Sequence, residues 1–164
     1  MFKMFFDRTE ADSLKITDIS ISDLIGEKNN EYYMDAFEKI ESGEKRVFNK
    51  SAIFAGPYWY IYRKMVFRGV LMIAFQAIIA TMAYATKSPA WITAFILSFL
   101  TFVYSGFYGN KDYYNRVITL VEESKAIDNK FKGRFYVDKS GVDAYITGCW
   151  IVGTVFLYAV IIFL

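Results

Sequence analysis

The chain is 164 residues long, 55% hydrophobic and 20% aromatic, with a net charge of +2, one cysteine and no histidine. The near-balanced charge and the lack of a basic stripe argue against nucleic acid as a partner, and the absence of histidine removes the commonest general base and metal ligand together with every Ser/His or Cys/His pair. A lone cysteine builds neither an internal disulfide nor a zinc site, so no cofactor or metal is expected and the protein is read as non-enzymatic.

Residues 1–51 are mixed and charged. The apolar patch at Met4, Phe5 and Phe6 is too short for a signal peptide, so the first spanning helix is expected to act as its own insertion signal. Leu14, Ile16, Ile19 and Ile21 alternate weakly, as in a strand. From about Ser22 to Ile40 the pattern turns helical, with Tyr33, Phe37 and Ile40 on one face. So short a region cannot build a large core alone.

Residues 52–66 are apolar but too few to span a bilayer. Gly56-Pro57 leads into Tyr58, Trp59, Tyr60 and Tyr62, then Arg63 and Lys64. Rings with a polar edge favour the water–lipid boundary, and the proline breaks any helix passing through it. The segment is read as interfacial or re-entrant, with Tyr58, Trp59, Tyr62, Arg63 and Lys64 as its lipid-anchoring set. Arg63 and Lys64 either fix topology, the preferred reading, or bind anionic headgroups.

Residues 67–108 form a helical hairpin. Crossing a hydrocarbon core takes about 20 mainly apolar residues, and Phe67–Ala85 and Ala90 to about Tyr108 both qualify, joined by Thr86-Lys87-Ser88-Pro89. Gln76 shares a helix face with Gly69, Met72, Ala80 and Ala83. An amide on such a face is interhelical glue by preference, with a transport site as the alternative. Ala90, Ala94 and Ser98 make a small-residue stripe in the second span, which suits packing within the chain or against a second copy.

In residues 109–141, Gly106 and Gly109 are expected to bend the chain away from the second span. Tyr114, Val117, Ile118 and Val121 follow at i, i+3, i+4 and i+7, an amphipathic helix ending near Ala126. That face either covers the N-terminal helix or docks a partner. Glu122 and Glu123 are adjacent, so a helix aims them about 100° apart, a poor catalytic pair. The third span fills residues 142–164, from about Ala144. It is dense in Val, Ile, Leu and Phe, begins a second small-residue stripe at Ala144 and Gly148, and is preceded by Ser140 and Asp143 in capping-box spacing.

The fold class is therefore an all-α integral membrane protein: three transmembrane helices, amphipathic cytoplasmic helices and an interfacial aromatic segment. Buried helices of a soluble bundle would keep a polar stripe, and these three keep none. Lys50, Arg63 and Lys64 precede the first span and Arg68 sits at its edge. Lys111, Arg116, Lys125, Lys130, Lys132, Arg134 and Lys139 occupy the long loop, against Lys87 alone in the hairpin. The bias puts the N-terminus and the loop in the cytoplasm and the C-terminus on the far side.

The stretch Phe48-Asn49 through Ala52-Ile53-Phe54-Ala55-Gly56-Pro57-Tyr58-Trp59 to Tyr62-Arg63-Lys64-Met65 resembles a bacterial family of small membrane proteins, the domain of unknown function 2628 family. Glu31-Tyr32-Tyr33 followed by Phe37, and Gly109-Asn110 followed by Tyr113-Tyr114, are similar too, so the resemblance runs from about Leu24 to Val121. It implies a protein of the bacterial inner membrane and supplies no catalytic residue. The expected role is that of a membrane accessory or interaction protein, with the lipid bilayer and a protein partner or second copy as its contacts. A small oligomeric transporter or channel is the alternative.

Overall fold

The computed structural model describes residue 16 and residues 18–163. The patch at Met4, Phe5 and Phe6, with the signal-peptide reading attached to it, lies outside the described residues, as do Leu14 and Leu164. Among the described residues the backbone forms nine helices and no strand: α1 (Ile21–Ile25), α2 (Asn30–Glu41), α3 (Lys50–Ala55), α4 (Pro57–Tyr62), α5 (Val66–Thr86), α6 (Pro89–Ser98), α7 (Leu100–Lys125), α8 (Asn129–Lys139) and α9 (Ala144–Phe163). The described residues divide into two compact units, those up to residue 44 with 111–142, and 45–110 with those from residue 143 onward.

In the first unit the strand-like spacing of Ile19 and Ile21 gives way to a helix start. The Ser20 hydroxyl accepts from the Asp23 N–H at 3.2 Å, and the Ser20 N–H donates to the Asp23 carboxylate at 2.9 Å. This reciprocal cap satisfies two donors that a strand here would leave open. The helical pattern from Ser22 to Ile40 is not one helix. Gly26, at φ 74°, ends α1, and α2 begins after Asn29. The core of the unit is aromatic: Tyr33 and Phe37 of α2 meet Tyr113 of α7 at ring-centroid distances of 5.1 and 5.6 Å.

Three helical stretches are long and apolar enough to cross a membrane: Val66–Thr86 and Ala144–Phe163, both in the second unit, and Pro89–Lys125, whose residues 89–110 belong to it. At most 28% of each apolar window is buried inside the protein. The turn between α5 and α6 is set locally. Lys87 is left-handed at φ 50°, its N–H donates to the Ala83 carbonyl, and Pro89 occupies the first turn of α6, where a missing N–H costs nothing.

Two expectations are corrected. Gly106 and Gly109 do not end the helix, because α7 runs through both. They serve close approach instead: a Cβ on Gly106 would lie 2.8 Å from Ile53, and one on Gly109 would lie 3.2 Å from Ala52 and Trp59. The second correction concerns the start of α9. The Ser140 N–H closes α8 by donating to the Tyr136 carbonyl, while the Asp143 carboxylate itself accepts from the Ile146 N–H at 2.8 Å. Asp143 is thus the cap. Asp143→Ala is expected to cost about 1 kcal/mol, and Asp143→Asn little. A thermal midpoint unmoved by the alanine change would remove that role.

Candidate functional site

The aromatic segment folds as a helical hairpin, α3 and α4, whose legs are held by buried amides. Asn49 caps α3, its side-chain oxygen accepting from the Ala52 N–H at 2.9 Å. Its side-chain nitrogen donates to the Asn110 side-chain oxygen at 2.7 Å. Asn110 in turn donates to the Val47 carbonyl at 3.2 Å, and the Asn49 N–H donates to the Gly106 carbonyl at 2.8 Å. Both asparagines are fully buried. A buried amide is tolerated only when bonded, and here each one bonds across 61 or more residues of chain.

The turn of the hairpin is Gly56, at φ 52° and ψ −124°. Its N–H donates to the Ala52 carbonyl and its carbonyl accepts from the Trp59 N–H. Pro57 begins α4. A Cβ on Gly56 would lie 2.5 Å from the Phe102 ring. On the return leg, Gly69 of α5 lets the Pro57 carbonyl and Ile61 come close, 2.6 and 2.5 Å from where a Cβ would stand. The Tyr62 carbonyl accepts from the Asp143 N–H at 2.9 Å.

A second polar group sits where the second apolar stretch is broken. The Phe102 N–H bonds to the Phe99 carbonyl rather than continuing the α-helical ladder to Ser98. The released Ser98 carbonyl accepts from the Gln76 side-chain nitrogen at 3.3 Å and from the Thr101 hydroxyl at 2.8 Å. Gln76 also donates to that hydroxyl at 3.1 Å. A carbonyl freed inside an apolar helix needs such a donor. Gln76→Leu is expected to cost about 1–2 kcal/mol, read as a lowered unfolding midpoint; a midpoint equal to the parent's would leave the amide without a structural part.

The remaining candidates separate by burial. Trp59 and Arg63 are buried at 3% exposure, so their contacts are with the protein's own atoms. The Arg63 guanidinium lies 5.9 Å from the Tyr62 ring centroid. Tyr58, Tyr62 and Lys64 are half-buried. Ser98 is buried, Ala94 half-buried and Ala90 exposed. A Cβ on Gly148 would meet nothing within 4 Å. In the first unit Val117 is buried while Tyr114, Ile118 and Val121 are half-buried. The inward stripe is Tyr113, Val117, Leu120 and Ser124. The Tyr114 ring packs on Phe37 at 5.2 Å and its hydroxyl donates to Glu41 at 3.2 Å. Burial, then the Glu41 charge beside it, raises the Tyr114 phenol above its ordinary value of 10.0. The folded state therefore favours the neutral phenol, and that contribution to stability fades only as pH rises above 10.

Sequence pattern alone assigns no part to Asn49, Phe102 or Asn110. The detectable signal is Asn49 immediately before a short apolar helix, an N-cap pattern. The Asn49 and Asn110 side-chain amides, together a clasp between α3 and α7, do not titrate in the usual pH range, so the arrangement holds chain segments together and moves no proton. Among the described residues no three Cys, Asp or Glu side chains gather as metal ligands.

Residues 15–118, which contain the whole clasp, match a family described as Protein of unknown function (DUF2628). No curated protein and no solved structure matches the chain. The match covers well over half of the sequence and includes α1 to α6 and most of α7, so the chain belongs to the DUF2628 family.

Proposed function

We propose that the protein is a multi-pass membrane protein of the bacterial cytoplasmic membrane. In this reading the N-terminal region and residues 109–141 are cytoplasmic, and the C-terminus is on the far side. It acts as a non-enzymatic accessory or interaction protein. Insertion is supported by the outward faces of the long helices, where Phe67, Val152 and Phe156 are 76%, 70% and 70% exposed. Such a surface needs lipid or protein over it. The segregation of Lys and Arg supports the orientation. The observation that carries the accessory reading over transport is the use made of Gln76, whose amide is committed to the Ser98 carbonyl and the Thr101 hydroxyl.

A small oligomeric transporter or channel is the second reading. The broken helix at Phe99 favours it, since discontinuous helices are where transporters place their binding sites. The mass and composition of the native particle, extracted gently from its own membrane, separates the two. A stoichiometric second protein supports the accessory role. A pure homo-oligomer that conducts solute in proteoliposomes, with flux lost in Gln76→Leu, overturns it.

A further inference from the structure

We infer that residues 49–65 form a re-entrant hairpin that dips into the leaflet it enters, with Phe54 presented to the acyl chains. The inference rests on the membrane reading above and goes beyond it by fixing depth and naming the lipid-facing residue.

The depth follows from two rulers within the second unit. α5 has 21 residues, about 31 Å at 1.5 Å per residue, which matches a hydrocarbon core of about 30 Å. Its first residue, Val66, therefore sits near one boundary. Gly69, against which the Pro57 carbonyl packs, is three residues further in, about 5 Å. The second stretch is free of charge from Pro89 to Asn110 and meets its first charge at Lys111. Phe102, against which Gly56 packs, is eight residues short of Asn110, about 12 Å inside that boundary. Both rulers put the turn below the surface, between about 5 and 12 Å deep.

The hairpin is chemically fit for that depth. No charged residue occurs from Ser51 to Tyr62. At the non-helical turn the Gly56 N–H and C=O both have partners, and Pro57 has no N–H to satisfy. This is the condition under which irregular backbone is tolerated in hydrocarbon. Lys50 stands at the mouth, where its stem reaches the headgroups. Trp59 and Ile61 face inward, while Phe54 is 85% exposed. At the inferred depth the chains of the leaflet cover it.

The test is electron paramagnetic resonance of a nitroxide placed at Phe54→Cys in a Cys149→Ser background, in phosphatidylethanolamine–phosphatidylglycerol vesicles. Collision with oxygen is compared with collision with an aqueous nickel chelate. Val155→Cys, in the middle of α9, reports on the membrane reading itself, and Lys45→Cys on the aqueous phase. The expected result is an oxygen-to-nickel ratio at Phe54 on the lipid side of Lys45, approaching that of Val155. A Phe54 ratio equal to that of Lys45, with Val155 still in lipid, overturns the hairpin alone. An aqueous ratio at Val155 overturns the membrane reading instead. A Phe54 label shielded from both reagents means that a second copy covers it, and likewise overturns the inference.

Discussion

Gly56→Ala is expected to be among the most damaging single substitutions in the second unit, costing about 3 kcal/mol or more from strain and overlap together. The position combines two demands that only glycine meets. Its φ of 52° with ψ of −124° is a backbone region closed to residues with a Cβ. The space a Cβ would fill is held by the Phe102 ring at 2.5–2.7 Å. The two contributions separate in a pair of variants. Phe102→Ala clears the overlap but leaves the backbone strain, so in that background Gly56→Ala should still cost about 1–3 kcal/mol. Measured by unfolding in detergent, a cost below about 0.5 kcal/mol in the parent would sink the account, since that is the scatter of ordinary surface changes.

Asn110→Leu should follow closely, at about 2–4 kcal/mol. It strands the buried Asn49 side-chain nitrogen, which costs about 1–3 kcal/mol when left without a partner, and the half-buried Val47 carbonyl, which costs less. Asn49→Leu loses the α3 cap as well. If the amide pair is the source of the stability, a double-mutant cycle between the two returns a coupling of about 1 kcal/mol or more. Strict additivity would place the stabilisation elsewhere, in the shape of the glycine contacts.

The long helices are legible in the sequence because a charge-free run of about 20 residues matches the thickness of a hydrocarbon core; the first and third agree with their runs to within a few residues, while the second continues as helix past Tyr108 to Lys125. The break at Phe99 is not legible. No proline or glycine marks Phe95 to Phe102, and the donor that takes up the freed carbonyl is Gln76, 22 residues upstream. Gly106 and Gly109 announce that something special happens there, but smallness alone does not distinguish a bend from a close approach. The close approach is set by Ala52, Ile53 and Trp59, about a third of the chain away. The inward stripe of α7, Tyr113, Val117, Leu120 and Ser124, shares only Val117 with the sequence pattern of Tyr114, Val117, Ile118 and Val121, and it begins one residue earlier. Adjacent tyrosines give no local reason to prefer one, and the deciding contacts are the Tyr33 and Phe37 rings. Trp59 misleads for a related reason: an aromatic ring that suits an interface equally suits a core.

The Asn49–Asn110 bond also imposes a timetable on the making of the protein. Its partners are 61 residues apart, and a ribosome adding about 5–20 residues per second needs roughly 3–12 s to cover that distance. During that interval the α3–α4 segment and then all of α5 are made, while Gly106, Gly109 and Asn110, which receive the hairpin, come only at its end. The segment made first is therefore seated late, after the second apolar helix has emerged to meet it. A nascent chain arrested just before Gly106 carries the hairpin without its dock, and the closing of the clasp marks the point at which the unit stops being a string of helices and acquires a fixed interior.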